Sequence, residues 1–352
     1  VNAFVPVTGL SVRAADLNEP GELIRATRFI AASPAASPFH RPDWSRAVER
    51  GCGQKSHYLL AENRAGKIAG ILPLTEMRSA LFGSALVSAG FGVDGGIVSA
   101  DPDAAQLLAE HAWALAERLG CTSVELRGGW APEGWYQKTG AYAGFVRDLP
   151  RTDEEILKAI PRKQRAEVRR AQGFGLDFSI GAGPNDRASH YAVYSQSVRN
   201  LGTPVFPREL FATMLDNFGE DADILTIRRN GKPVASVLSL YYRGTVYPYW
   251  GGGTAEARAL RANELMYFEL MRHAAGRGCT RFDFGRSKLG TGAYAFKKNW
   301  GFDPEPLVYW TKGEAREINP LSPKYRLQIA IWKKLPLPIA NLLGPPIARG
   351  LG

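Results

Sequence analysis

FDFGRSKLGTGAYAFKKNWGF, residues 282–302, decides how this chain is read, because a strand, a glycine-rich turn and a doubly basic helix end follow one another in it. Phe282 and Phe284 alternate with Asp283 as in a strand, and Gly285, Gly290 and Gly292 free the backbone after it. Ala293 to Trp300 has the length for two helical turns before Gly301. Lys297 and Lys298 fall in the last of those turns, where the helix dipole favours cations. Taken alone, this is a capped and solvated helix end. Such a unit also suits an acyl group, and the rest of the chain weighs one reading against the other.

A length of 352 residues exceeds one ordinary core; at roughly 100–200 residues per domain it predicts two. Hydrophobic residues make up 45% and charged ones 22%, as in soluble globular proteins, and no run approaches the ~18–20 apolar residues of a membrane span. The opening VNAFVPVTGLSVRAADLNEP has no basic start followed by an apolar core, so the expected compartment is the cytoplasm. Cys52, Cys121 and Cys279 are odd in number and widely spaced, which predicts reduced packing residues. Histidines 40, 57, 111, 190 and 273 form no ligand pair, so no metal is expected, and neither GxSxG nor a P-loop occurs. A net charge of +10 favours a polyanionic partner: nucleic acid, a nucleotide-linked intermediate or an anionic membrane surface.

The chain repeats itself at a spacing of about 160 residues, as a duplicated domain would. SPFHRPDW (37–44) parallels TPVFPREL (203–210), each a proline-marked helix start. YLLAENRAGKIAGILPL (58–74) parallels ILTIRRNGKPVASVLSL (224–240), each a pair of apolar strands around an Asn/Gly turn. GCTSVELRG (120–128) parallels GCTRFDFGR (278–286), each after a helix with a three-four apolar stripe: Leu108, Ala112 and Leu115 in the first, Tyr267, Leu270, Met271 and Ala274 in the second. Finally WYQKTGA (135–141) parallels FKKNWGF (296–302), setting Tyr136 and Gln137 opposite Lys297 and Lys298. The order helix, hairpin, strand, helix, strand, helix, strand, read twice, predicts a mixed α/β fold with largely antiparallel sheets. The predicted boundaries are 1–150 for the first domain, 151–175 for a basic connecting helix, 176–315 for the second domain, and 316–352 for a basic, apolar, proline-rich tail.

This order, with its ending of an aromatic, a lysine and a Gly-Phe pair, resembles the GNAT acyltransferase fold, and its tandem repetition resembles the FemAB-like aminoacyltransferases. The resemblance covers roughly residues 35–312. The run from FDFGRSK through NWGFDPEPLVYW looks most like the FemAB-like proteins found beside exopolysaccharide and exosortase (PEP-CTERM) loci of Gram-negative bacteria. It implies two GNAT-like domains that use the cleft between them to transfer an aminoacyl or acyl group to an amine of a cell-envelope, peptidoglycan or exopolysaccharide precursor. It also implies that Lys297, the first lysine after Phe296, positions and polarises the donor carbonyl, since acyl transfer needs donors aimed at the oxygen that becomes negative. Phe296 is its packing partner, and Lys298 is a weaker phosphate contact; Arg286 at the strand end either pairs with Asp283 or, as its placement favours, points into the cleft. Asp283 has the spacing of Glu125 in the first copy and reads as a repeated structural carboxylate.

PRKQRAEVRR (161–170) sets Arg162, Arg165 and Arg169 on one helix face; the resemblance directs them at the phosphates of a nucleotide-linked precursor or of tRNA, against the alternative of a solvated linker. Arg199 precedes a Gly/Pro loop, and Tyr247 and Tyr249 share a strand face in YPYWGGGT (247–254), whose glycines suit close approach to a ligand. The pyrophosphate pattern of acyl-CoA enzymes, Arg/Gln-x-x-Gly-x-Gly/Ala, finds Arg261 and Asn263 at its glycine positions in RALRAN (258–263). That favours an aminoacyl or other unusual donor over acyl-CoA, with aminoacyl-tRNA and acyl-CoA both left as donor substrates, and no tightly bound cofactor is expected. The tail 321–352 sets Leu327, Ile331 and Trp332 among Lys324, Arg326, Lys333 and Lys334 before prolines 336, 338, 345 and 346. Packing on the domains or a dimer partner leads there, with peripheral contact to the inner membrane as the alternative. Two further functions stay open: an acyl-CoA-dependent N-acyltransferase acting on an amino sugar, and a non-catalytic glycan-binding scaffold.

Overall fold

The computed structural model describes residues 9–314 and 325–351; residues 1–8, Lys324 and the start of the tail lie outside the described residues. The chain divides into two compact units, Val1–Thr139 with Val308–Asn319 and Arg349–Gly352, and Gly140–Leu307 with Pro320–Ala348.

Unit 1 begins with β1 (Leu10–Ala15), α1 (Pro20–Ala32) and α2 (Pro42–Cys52). The strands β2 (Lys55–Asn63), β3 (Ile68–Ser79), β4 (Gly83–Ser88) and β5 (Val98–Ser99) follow. Then come α3 (Pro102–Leu119), β6 (Ser123–Arg127) and β7 (Tyr136–Lys138). Unit 2 starts with β8 (Tyr142–Gly144), β9 (Val146–Asp148), α4 (Asp153–Ala159), α5 (Arg162–Gln172) and β10 (Asp177–Gly181). It continues through α6 (Pro184–Leu201), α7 (Arg208–Phe218), β11 (Ala222–Arg229), β12 (Lys232–Tyr242) and β13 (Thr245–Gly253). After α8 (Ala262–Gly276) come β14 (Arg281–Asp283), β15 (Ser287–Lys288), α9 (Gly292–Asn299) and β16 (Glu305–Pro306). β17 (Tyr309–Gly313) returns to unit 1, and α10 (Arg326–Lys334) and α11 (Leu337–Ala348) belong to unit 2.

The fold is mixed α/β with largely antiparallel sheets, and the two units are built alike. Their sheets run β1-β2-β3-β4-β6-β17-β7 and β10-β11-β12-β13-β14-β9. In each, an antiparallel run ends in one parallel pair, β4 with β6 and β13 with β14, because a helix carries the chain over between those strands. The hairpins form where the turn residues demand them. Asn63 Oδ1 accepts the amide protons of Ala65 and Lys67, and Asn230 and Gly231 both adopt left-handed backbone, as a two-residue hairpin turn requires. The carboxylate of Asp101 caps α3, whose Leu108, Ala112 and Ala116 lie in the core of unit 1. In unit 2 the matching stripe is Leu265, Met266, Leu270, Met271 and Ala274, packed on Phe282, Trp300 and Phe302. The three cysteines are buried, and none forms a disulfide among the described residues.

The final strand of each sheet comes from the other repeat. The strand that ends the first repeat, β9, pairs with β14, while the strand that ends the second, β17, pairs with β6. One sequence expectation is corrected outright: residues 135–141 are not a second helix end, since Tyr136–Lys138 is the strand β7, paired with β17. Gly134 and Gly140, both with left-handed backbone, bracket too few residues for a helix there. The comparison of Tyr136 and Gln137 with Lys297 and Lys298 therefore sets a strand against a helix.

Candidate functional site

Strands β13 and β14 are paired only at Thr245 with Arg281 and Val246 with Phe282. Beyond that point β13 stays on β12 as far as Gly253, whereas the chain after β14 leaves through Phe284, Gly285 and Arg286 to pair with β8. The two strands part, and the β13 side of the gap is glycine for a steric reason. A Cβ on Gly252 would lie 2.3 Å from Ser197 Oγ, and one on Gly253 would lie 2.8 Å from Asn263 Oδ1.

Helix α9 supplies the other side. Thr291 Oγ1 caps it by accepting the Tyr294 amide, and Lys297 sits in its last turn. The Lys297 ammonium donates to the carbonyl oxygens of Arg286 at 2.9 Å and of Gly285 at 3.2 Å. Its Nζ lies 5.3 Å from the Phe145 ring centroid and 6.0 Å from that of Phe284. Burial among these rings brings its pKa down to about 8, with the Asp283 carboxylate opposing the shift and the Arg286 guanidinium adding to it.

Phe296 packs on Tyr267, Phe284 and Trp300, and Arg286 stacks 4.9 Å over the Tyr142 ring, so Lys297, Phe296 and Arg286 are brought together. Lys298 is exposed, with its ammonium 6.0 Å from the Tyr294 ring. Asp283 accepts the Gly285 amide at 2.7 Å and so shapes the turn whose carbonyl Lys297 uses.

The remaining predicted residues lie elsewhere in unit 2. Arg162 and Arg169 are exposed on α5, but Arg165 donates to the carbonyls of Ile160 and Lys158 at the end of α4. Arg199 donates to the Lys333 carbonyl at the end of α10. Tyr247 and Tyr249 are half-buried on one side of β13, and Trp250 is buried on the other.

Two residues of α8 carry no functional mark in the sequence. Tyr267 reads as part of the α8 core stripe, yet its ring packs 4.8 Å from Phe284 and 5.7 Å from Phe296, and burial with the Glu264 charge pushes its pKa up to about 12. Glu264 reads as an acid in a helix first turn, yet it is half-buried, and that burial raises its pKa while Gln164 Nε2 approaches at 3.5 Å. Thr254 Oγ1, Asn263 Oδ1 and Ser287 Oγ are buried and have no hydrogen-bond partner among the described residues. Arg261, at the start of α8, has the left-handed backbone (φ 53°) that suits a glycine, and its side chain pairs with Glu167 at 2.6 Å. Among the described residues no three His, Cys, Asp or Glu side chains gather as a metal would need.

The Lys297 environment predicts a pH dependence of stability. Its folded pKa of about 8 lies below the ordinary 10.5, so between those values the unfolded chain holds a proton the folded chain has released, and stability rises with pH. Below that window both states are protonated and the cost of burying the ammonium is present in full. Lys297→Met is expected to remove the rise in urea titrations made across the window. Identical pH slopes for the two proteins would contradict this.

Residues 159–298, which contain the gap and end with the two lysines, match the family model described as an acetyltransferase (GNAT) domain. The structure is similar to that of FemX, with a TM-score of 0.65 at 13% identity, covering 85% of this chain and 96% of that one. It is also similar to the tandem GNAT protein from the clavulanic acid biosynthesis pathway, with a TM-score of 0.56 at 13% identity over 88% of this chain and 99% of that one. L-PGS from Bacillus licheniformis gives a TM-score of 0.55 at 12% identity over 93% and 97% of the two chains. At these identities the likeness is one of fold. No curated protein matches the chain.

Proposed function

We propose that the chain is a FemAB-like N-acyltransferase, whose unit 2 transfers an aminoacyl or acyl group to an amine of a cell-envelope, peptidoglycan or exopolysaccharide precursor. The observation that carries this reading is the setting of Lys297. Two of its three ammonium protons go to the Gly285 and Arg286 carbonyls, which fix Nζ on an aromatic floor and leave the third proton for an oxygen that becomes negative. With a pKa of about 8 the group is still mostly protonated at neutral pH, as an oxyanion donor must be.

In the proposed reaction the acceptor amine attacks the donor carbonyl carbon, and the carbonyl oxygen takes up negative charge against Lys297 Nζ. The amine proton passes to the leaving oxygen or sulfur as the ester or thioester bond breaks and the amide remains. Exposed Arg162, Lys163, Arg169 and Lys298 supply cations for an anionic acceptor or for tRNA.

The donor is the open choice within this reading. Arg261 and Asn263 stand where the acyl-CoA pattern has small residues, and Asn263 covers Gly253, which favours an aminoacyl-tRNA. One observation favours acyl-CoA: Arg261 keeps the glycine-like backbone turn at the start of α8. Incubation of the purified chain with either labelled donor and an amine-bearing envelope precursor separates the two. Label in an amide from aminoacyl-tRNA alone supports the first reading, and label from acyl-CoA alone reverses the order. Acceptor binding without transfer from either donor would leave a glycan-binding scaffold.

A further inference from the structure

Helices α10 and α11 pack on unit 2 through one side only. Ile329 lies against Gly202, where a Cβ would come within 2.5 Å of its Cγ2. Arg199 holds the end of α10 through the Lys333 carbonyl, and Asn341 Nδ2 donates to Ser195 Oγ at 3.4 Å. On α11 the buried residues Ala340, Gly344 and Ala348 recur every four positions, so one stripe of small residues faces the unit. A Cβ on Gly344 would lie 2.9 Å from the Val205 nitrogen.

The opposite sides are apolar and uncovered. On α10, Leu327 (71% exposed) and Ile331 are four residues apart, and Lys334 continues their line. On α11, Ile339, Leu342 (74% exposed) and Leu343 are exposed, and Leu201 at the end of α6 is exposed as well. Single exposed leucines need no explanation, but two adjoining helices that each place a small or anchored side inward and large aliphatic residues outward do.

Charge selects the occupant. Residues 325–351 contain Arg326, Lys333, Lys334 and Arg349 and no aspartate or glutamate. Aliphatic residues flanked by cations without a compensating acid match a surface that is apolar beneath and negative on top. The helices span nine and twelve residues, and α11 contains Pro345 and Pro346; no described helix is long and apolar enough to cross a membrane.

We infer that the outer sides of α10 and α11 seat unit 2 on an anionic lipid bilayer, with Leu327, Ile331, Ile339, Leu342 and Leu343 entering the acyl boundary and Arg326 and Lys334 meeting lipid phosphates. This surface does not depend on the acyl-transfer reading.

The test is co-sedimentation of the full chain with vesicles of phosphatidylcholine alone or mixed with phosphatidylglycerol. The wild-type chain is expected to pellet with the mixed vesicles and to remain in solution with the neutral ones, with binding that weakens as salt is raised. Leu327→Glu with Leu342→Glu, and separately Arg326→Glu with Lys334→Glu, should each weaken binding at least tenfold with an unchanged far-ultraviolet spectrum; all four positions are exposed. Lys297→Met should bind as the wild type does. Undiminished binding by both double variants would overturn the inference. So would a wild-type chain that ignores the anionic vesicles, including one whose concentration-dependent dimer the leucine variant dissolves, which would make this side a contact between copies.

Discussion

Lys297→Met is expected to lower the turnover of acyl transfer by about 10²–10³-fold, the range found when a single oxyanion donor is removed, while unit 2 remains folded. Methionine keeps an unbranched stem against Phe145 and Phe284 but cannot donate to the Gly285 and Arg286 carbonyls. Two competing terms act on stability. The carbonyls lose a partner, at roughly 1–3 kcal/mol for each one left buried and unpaired, and the folded chain no longer holds a desolvated ammonium. These oppose each other, so the effect on folding is far smaller than the effect on rate. Loss of kcat with little change in KM marks a group that acts on the transition state. Lys297→Arg should not restore the rate, because a planar guanidinium does not reproduce a compact ammonium resting on two adjacent carbonyls. A Lys297→Met enzyme at full rate would take the lysine out of the chemistry.

Trp300→Ala is expected to cost unit 2 about 3–5 kcal/mol, the range for emptying a large aromatic site in a core. Trp300 is fully buried, and its ring centroid lies 6.0 Å from Tyr267, 6.1 Å from Phe296 and 6.5 Å from Phe284. Its indole nitrogen has no hydrogen-bond partner among the described residues, so the loss is one of packing. The backbone of the position is untouched: its amide still donates to the Phe296 and Lys297 carbonyls, and its own carbonyl still accepts from Arg147 Nη1 at 3.0 Å. At about 2–4 °C per kcal/mol for a unit of this size, the midpoint of its thermal unfolding should fall by roughly 6–20 °C. Calorimetry of the full chain reads this directly, and a shift below about 2 °C would show that the aromatic cluster under the site collapses to fill the space.

Local signals in the sequence carry local structure faithfully. The two hairpins were legible because Asn63 and the Asn230–Gly231 pair fix their turns, and the helix stripes because Leu108 and Ala112, or Leu270, Met271 and Ala274, recur at helical steps. The exchange of final strands was not, because nothing in Val146–Asp148 or Tyr309–Gly313 states which sheet edge it meets. The sequence reading of Tyr136–Lys138 as a helix end followed an apparent match to FKKNWGF, and pairing with β17 overrode it.

The site divides in the same way. Lys297, Phe296 and Arg286 are near neighbours in sequence, and the structure brings them together. The pKa of Lys297, in contrast, depends on Phe145, a residue of the first repeat delivered by the exchanged strand. Arg165 and Arg199 read as free cations, but carbonyls at the ends of α4 and α10 attract them. Glu264 and Tyr267 carry no local mark that separates them from an ordinary first-turn acid and an ordinary core aromatic.

A donor carbonyl held at Lys297 is open to view in a crystal structure with a stable amide analogue of the donor chosen by the transfer assay. The analogue's carbonyl oxygen is expected about 2.7–3.1 Å from Lys297 Nζ, in the gap between Gly251–Gly253 and Phe284–Arg286. An analogue bound with its carbonyl out of hydrogen-bonding reach of Nζ, or held by unit 1, would contradict it.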